Sequence, residues 1–216
     1  MTAPTRIGKL ITLEGGEGAG KSTVLDAVRA RLAGHGIDVV VTREPGGTPF
    51  GEAVRALVLD PARGELCAES ELLLMFAARA QLVRQVIKPA LEAGQWVLSD
   101  RFTDASYAYQ GGGRGQPPAR IAELEAWAAL LKPDLTLLLD LPVAEGLARA
   151  GARGEADRIE REAADFFERV RIAYRARAAA EPARFRVIDA SRPVDAVREA
   201  ACVAIDAFVR SAGAGA

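Results

Sequence analysis

Eight residues near the start of the chain, Gly15-Gly16-Glu17-Gly18-Ala19-Gly20-Lys21-Ser22, most restrict what it can fold into. They match G-x-x-x-x-G-K-[ST]; a short apolar run (Leu10–Leu13) precedes them and a helical pattern (about Lys21 to Leu32) follows. In that strand–loop–helix setting, the glycines let backbone N–H groups turn inward around phosphate oxygens at the positive end of a helix dipole. Lys21 is then placed for the β- and γ-phosphates and Ser22 for Mg²⁺, with Thr23 completing the segment. A chance glycine turn is the bland alternative, and the flanking pattern argues against it. Glu17 is out of character in such a loop, because phosphates would repel a carboxylate facing them. We expect it to point away from ATP, toward a second substrate bearing hydroxyl groups, rather than into solvent.

Further β-prone runs occur at Asp38–Thr42, Trp96–Ser99, Leu135–Leu139 and Phe185–Ile188. They are short and apolar, as in strands covered on both faces, and helical segments separate them. Glu69–Ala93 has apolar residues at helical spacing, and Ile121, Leu124, Ala128 and Leu131 line a further helix. A helix is expected to start near Thr103, with Gly111–Pro118 as the loop after it. Ala144–Ala150 opens another helix, Gly151–Asp157 interrupts it, and Asp195–Arg210 closes the chain as a helix with 211–216 as a frayed tail. The pattern implies one α/β domain over residues 1–216 with a mostly parallel sheet.

The loop alone does not choose a reaction. A switch GTPase reads guanine with Asn-Lys-x-Asp, and the chain has no asparagine. Its single histidine, His35, sits in a Gly-His-Gly turn, which leaves chemistry to carboxylates and arginines. With a net charge of −1 there is no overall positive field for nucleic acid or a membrane. No apolar run approaches the ~18 residues of a membrane span, Met1–Lys9 lacks a signal-type apolar stretch, and Cys67 and Cys202 form no disulfide or zinc pattern. A cytoplasmic location is expected. The strand at Trp96–Ser99 leads into Asp100-Arg101, a carboxylate suited to the Mg²⁺ shell beside a cation suited to an acceptor phosphate; a structural ion pair is the alternative. Arg149, Arg153 and Arg158, around Gly151 and Gly154, suit a lid over residues 149–160 that closes on phosphates, or else a solvated charged helix.

Taken together, these segments resemble the thymidylate kinase family in its bacterial form. The resemblance rests on GGEGAGKST (15–23), TREPGGTPFGEAVR (42–55), FAARAQ (76–81), DRFTDASYAYQGGGRG (100–115) and RGEADRIE (153–160), in the family's order. It implies the nucleoside-monophosphate kinase fold with a five-stranded parallel sheet, an ATP/Mg²⁺ donor site, a dTMP acceptor site and a homodimer. By position, Glu17 would face the deoxyribose 3′-hydroxyl, and Arg43 and Arg101 would hold the dTMP phosphate. Asp100 would organise Mg²⁺, Arg79 would bond the thymine ring, and Ser106 and Gln110 would read its other edge. Tyr109 would crowd the 2′ position and Arg55 would line the base pocket. An acidic loop residue together with lid arginines marks a subclass in which the lid supplies the catalytic cation, here Arg153. The sequence departs from the family where an aromatic residue stacks on thymine: Met75 holds that position and Phe76 follows it, leaving either to pack on the base. Arg149 or Arg158 could compensate for Gly151, where relatives can carry arginine.

Overall fold

Why this chain builds a buried parallel sheet is visible in its central strands. β1 (Leu10–Gly15) is buried throughout, and β4 (Leu135–Asp140) is buried except at its last residue. A computed structural model describes residues 8–64, 66–152 and 156–213. Its five strands, with β2 (Val39–Arg43), β3 (Trp96–Asp100) and β5 (Phe185–Asp189), pair in parallel in the order β2-β3-β1-β4-β5. The edge strands β2 and β5 are the more exposed ones, so the unalternating apolar pattern holds best in the middle.

β1 has β3 on one side and β4 on the other, so the chain leaves its carboxyl end toward opposite halves of the sheet. A crevice opens at such a switch point. Strand register brings Leu13 and Arg43 level with Asp100, and Gly15 level with Leu139, along that edge.

Helices cover both faces. On one, α1 (Lys21–Gly34) and α8 (Val194–Gly213) close over Leu13, Val24, Leu32, Leu137 and Ile205. On the other, α7 (Ala164–Ala180) packs Phe166, Val170 and Tyr174 beside Leu138. α2 (Pro49–Leu59) starts on an N-cap, Thr48, whose hydroxyl oxygen accepts from the Gly51 N–H at 2.9 Å, with proline at the first position. α3 runs from Ala68 through a π-helical stretch, Val83–Ile87, to Glu92. α4 spans 103–113, α5 spans 118–129 and α6 is Val143–Gly151.

Four details differ from the sequence expectation. α2 and α7 were not anticipated. The helix bearing Ile121 ends at Ala129, where Leu130 turns left-handed (φ 58°), so Leu131 lies outside it. The final helix continues to Gly213, taking 211–213 out of the expected tail, while 214–216 lie outside the described residues. The loop expected at 111–118 begins only after Gly113. A Cβ on Gly113 would collide with the Phe166 ring, and one on Gly112 with the Arg169 carbonyl and Ala173. These glycines admit α7 against α4 rather than turn the chain.

Candidate active site

The loop between β1 and α1 is ordered by its own backbone. Gly20 is left-handed (φ 86°) at the N-cap of α1, where no side chain caps the helix. The helix's first N–H groups therefore lack a side-chain acceptor, the arrangement of an anion site. Lys21 arches back over the loop, its ammonium donating to the Gly15 carbonyl at 3.1 Å and the Gly16 carbonyl at 2.9 Å. Gly18 (φ 68°) lies against α6, and a Cβ there would strike the Gly146 carbonyl. The loop and the helix at the root of the expected lid are thus in direct backbone contact.

Beside the loop, at the carboxyl edge of β1, β2 and β3, is a cavity of about 390 Å³, within the range of small-molecule sites. Glu17, Lys21, Ser22, Asp100 and Arg101 line one end of it, and Arg79, Ser106, Tyr109 and Gln110 the other, with Arg43 and Arg55 along the side. Eleven of the residues marked by sequence therefore share one space.

Glu17 turns toward this cavity. One carboxylate oxygen, Oε1, accepts from the Arg101 guanidinium at 2.8 Å and the Tyr109 hydroxyl at 2.7 Å. Burial would raise its pKa, but the charges of Arg101 and Lys21 and the Tyr109 hydrogen bond prevail and hold it at about 2. Lys21 is brought down to about 8 by burial and by the Arg101 charge. Arg55, which donates to the Pro45 carbonyl at 3.1 Å, has its pKa lowered by burial and by Arg43. Cations crowded against one another in this way favour an anion between them. Asp100 Oδ1 is buried without a hydrogen-bond partner among the described residues, and Ser22 lines the same space. Among the described residues no group of three or more His, Cys, Asp and Glu could hold a metal. That donor set fits a cation arriving on phosphates better than an all-protein cage.

Arg101 is held unusually. Its φ is 69°, rare for a residue other than glycine. Its N–H donates to the Leu13 carbonyl, its carbonyl accepts from the Ser99 hydroxyl at 2.7 Å, and the next N–H, of Phe102, donates to Glu14 at 2.7 Å. Glu14 is fully buried; burial and Asp104 raise its pKa to about 8. At the far end, Arg79 donates to Glu44 at 2.7 Å, to the Ser106 hydroxyl at 3.0 Å and to the Phe102 carbonyl at 3.1 Å.

Two expectations need correction. Phe76 does not line the cavity. It is buried with Leu72, Ile121 and Ala128, under the Arg79 guanidinium at 4.5 Å, whereas Met75 lines the cavity. Met75, four residues before Arg79 on α3, takes the cavity side, while Phe76, three before it, packs beneath the guanidinium on the core side. Arg158 is not a lid cation open to phosphates: it donates to the Val58 carbonyl and to Glu71, both at 2.6 Å. Arg149 donates to the Ala190 carbonyl at 3.0 Å and lines a second cavity, of about 510 Å³, on the other side of Gly18–Gly20. Arg153, with Gly154, lies outside the described residues. Sequence reasoning passed over Glu14, Glu44 and Glu71; only Glu14 carries a signal there, a carboxylate at the end of an apolar run.

A family model described as thymidylate kinase matches residues 13–201. The chain belongs to the thymidylate kinase family. It is similar to a thymidylate kinase of Pseudomonas putida (strain W619), 60% identical over 191 residues, which cover 88% of this chain and 92% of that protein. A thymidylate kinase of Methylococcus capsulatus is 57% identical over 203 residues, 94% of this chain and 97% of that one. Among solved structures, the thymidylate kinase of Ehrlichia chaffeensis superposes with a TM-score of 0.75 at 30% identity, covering 92% of this chain and 98% of that one. The nucleoside-monophosphate kinase fold of this family is the one built here around the β1–α1 loop. No described helix is long and apolar enough to cross a membrane.

The Glu17–Arg101 pair yields a pH prediction. A carboxylate depressed to about 2 contributes stability above its unfolded value of 4.5 and loses it as pH falls from 4.5 toward 2. The contribution is about 3 kcal/mol on linkage arithmetic. Chemical denaturation at pH 7 and pH 3 should show a smaller acid-induced loss in Glu17→Gln than in the unaltered chain. Equal losses would contradict the pairing.

Proposed function

We propose that the chain transfers the γ-phosphoryl group of ATP directly to the 5′-phosphate of dTMP, giving ADP and dTDP for dTTP synthesis. The observation that carries this reading is the single cavity in which the phosphate loop, a cluster of arginines and a base-sized polar end adjoin. In the proposal, the loop 15–23 and Lys21 cradle the donor phosphates, and the adenine side lies toward Arg149 and the second cavity. Arg43 and Arg101 hold the acceptor phosphate, and Arg55 borders it. Glu17 faces the 3′-hydroxyl, with Tyr109 closing the 2′ side. Arg79, Ser106 and Gln110 read the base over Met75. Ser22 and Asp100 would hold Mg²⁺, which would supply charge neutralisation at the donor phosphates. Alignment and charge neutralisation do the work, and no covalent enzyme intermediate is required. Among the lid arginines we assign the catalytic role to Arg153. Coupled measurement of ADP formation with and without dTMP tests the activity: ADP should form only when dTMP is supplied.

A homodimer fits the exposed apolar surface. α3 packs between α2 and α5, and each of the three helices exposes one large apolar side chain: Phe50 (49%), Leu73 (58%) and Trp127 (76%). Trp127→Lys should shift the sedimenting species from dimer to monomer; a monomer in both proteins would overturn the assignment. The two unpaired thiols, exposed Cys67 and buried Cys202, fit a reducing cytoplasm, which cell fractionation checks.

A further inference from the structure

Gln110 sits in the π-helical part of α4, is 2% exposed and lines the base end of the cavity. Its side-chain nitrogen donates to Glu71 Oε1 at 2.9 Å. Glu71, on α3, is itself fully buried, and arginines fix it in place. Its Oε2 accepts from Arg158 at 2.6 Å, and the Arg114 Nε–H reaches both oxygens at 3.2–3.3 Å. Burial opposes ionisation of Glu71, but the hydrogen bonds from Gln110 and Arg158 and the charge of Arg114 outweigh it and lower its pKa.

An amide's two ends are ordinarily assigned from their surroundings, and here the surroundings allow one answer. An ionised carboxylate can only accept. Turning the Gln110 amide over would set its carbonyl oxygen against a carboxylate oxygen in a buried place, where an unsatisfied pair of acceptors is costly. The amide nitrogen is therefore committed to Glu71. The amide oxygen accepts no hydrogen bond among the described residues.

We infer that Glu71 is a positioning residue which locks Gln110 with its carbonyl oxygen toward the acceptor base, and so selects pyrimidines carrying N3–H over those whose N3 is an acceptor. Thymine and uracil present a donor at N3. Cytosine presents a lone pair, which the Gln110 oxygen repels. Sites built around one hydrogen-bond pattern reject the mismatched analogue strongly because buried groups are left unpaired. Arg79 donors at the same end add discrimination of their own, so loss of the Glu71 lock removes only part of the selectivity. The inference rests on dTMP as the acceptor.

The test compares kcat/KM for dTMP, dUMP and dCMP, with MgATP, in the unaltered chain, Glu71→Gln and Arg114→Gln. A glutamine at 71 can donate as well as accept, which frees Gln110 to turn its NH₂ inward. The dTMP-to-dCMP ratio should fall at least about tenfold in Glu71→Gln, while the dTMP-to-dUMP ratio stays constant, since both bases carry N3–H. Arg114→Gln, which leaves the carboxylate in place, should keep both ratios. An unchanged dCMP ratio in Glu71→Gln, or the same fall in Arg114→Gln, would overturn the inference. Should Glu71→Gln not fold, neutron diffraction of the deuterated unaltered chain with dTMP decides: amide deuterons on the Glu71 side support the lock, and deuterons on the base side refute it. Failure of the dTMP reading itself would appear separately, as a better acceptor for the unaltered chain.

Discussion

Arg101→Ala should lower kcat/KM for dTMP by about 10³-fold, the cost of about 4 kcal/mol expected when one member of a buried charge cluster is removed. The guanidinium joins three elements of the site: it donates to the Gly15 carbonyl at 3.0 Å and to Glu17 at 2.8 Å, and lies over the Tyr109 ring at 4.9 Å. In the proposed mechanism it also neutralises the acceptor phosphate, so its loss removes a contact to substrate and disorders the carboxylate that faces the sugar. The backbone there is left-handed whichever side chain it carries, so alanine adds no new strain beyond the present one. Glu17 would keep Tyr109 and the Lys21 charge but lose its largest source of stabilisation. Stability should fall by about 3 kcal/mol, at the low end for breaking a buried pair. Arg101→Lys restores charge without the two-point geometry and should recover only part of the activity. Steady-state kinetics with a thermal melt checks both effects. A kcat/KM within about tenfold of the unaltered value would remove Arg101 from the centre of the account.

Arg153→Ala should reduce kcat by about 10³-fold or more, the worth of an arginine delivered to a transferring phosphoryl group, with little change in dTMP affinity. The resemblance to the subclass with an acidic phosphate loop assigns the catalytic cation to the lid, and there to Arg153. Arg149 is engaged by the Ala190 carbonyl and by Glu145 at 3.6 Å. Arg158 is engaged by Val58 and Glu71. The loop position that could have carried a cation holds Glu17, which points at Arg101. In the proposed mechanism Arg153 meets the charge developing on the transferred group. Single-turnover kinetics beside equilibrium dTMP binding separates the two quantities. An unchanged kcat, or a loss confined to dTMP affinity, would transfer the role to another group.

What could be read from sequence was what is local. The phosphate loop is a contiguous motif whose flanking strand and helix share its eight-residue neighbourhood, and Asp100-Arg101 announces itself at a strand end. The five strands were legible as short apolar runs, since burial on both faces leaves no alternative composition. The misreadings share a cause: one residue type serving two physical purposes. Gly111–Gly113 reads as turn chemistry, yet Gly112 and Gly113 serve close helix packing against Phe166 and Ala173. Phe76 reads as the aromatic partner of a base, yet helix phase turns it under Arg79 into the core, and Met75, four residues before Arg79, takes the cavity face. Glu71 and Glu44 were invisible for another reason. Their arginine partners lie 87 and 35 residues away, so nothing in the local pattern distinguishes a paired buried carboxylate from a solvated one. Arg158 illustrates the same limit: beside Arg153 in a charged segment it looks like a lid cation, and only its distant partner shows that it anchors the segment's end.

Whether the cavity beside the phosphate loop accepts dTMP is decided by a steady-state panel of dTMP, dUMP, UMP, GMP, AMP and thymidine with MgATP. The highest kcat/KM is expected for dTMP, with ADP and dTDP formed in equal amounts. Faster turnover of any other acceptor, or ATP hydrolysis indifferent to dTMP, would contradict it.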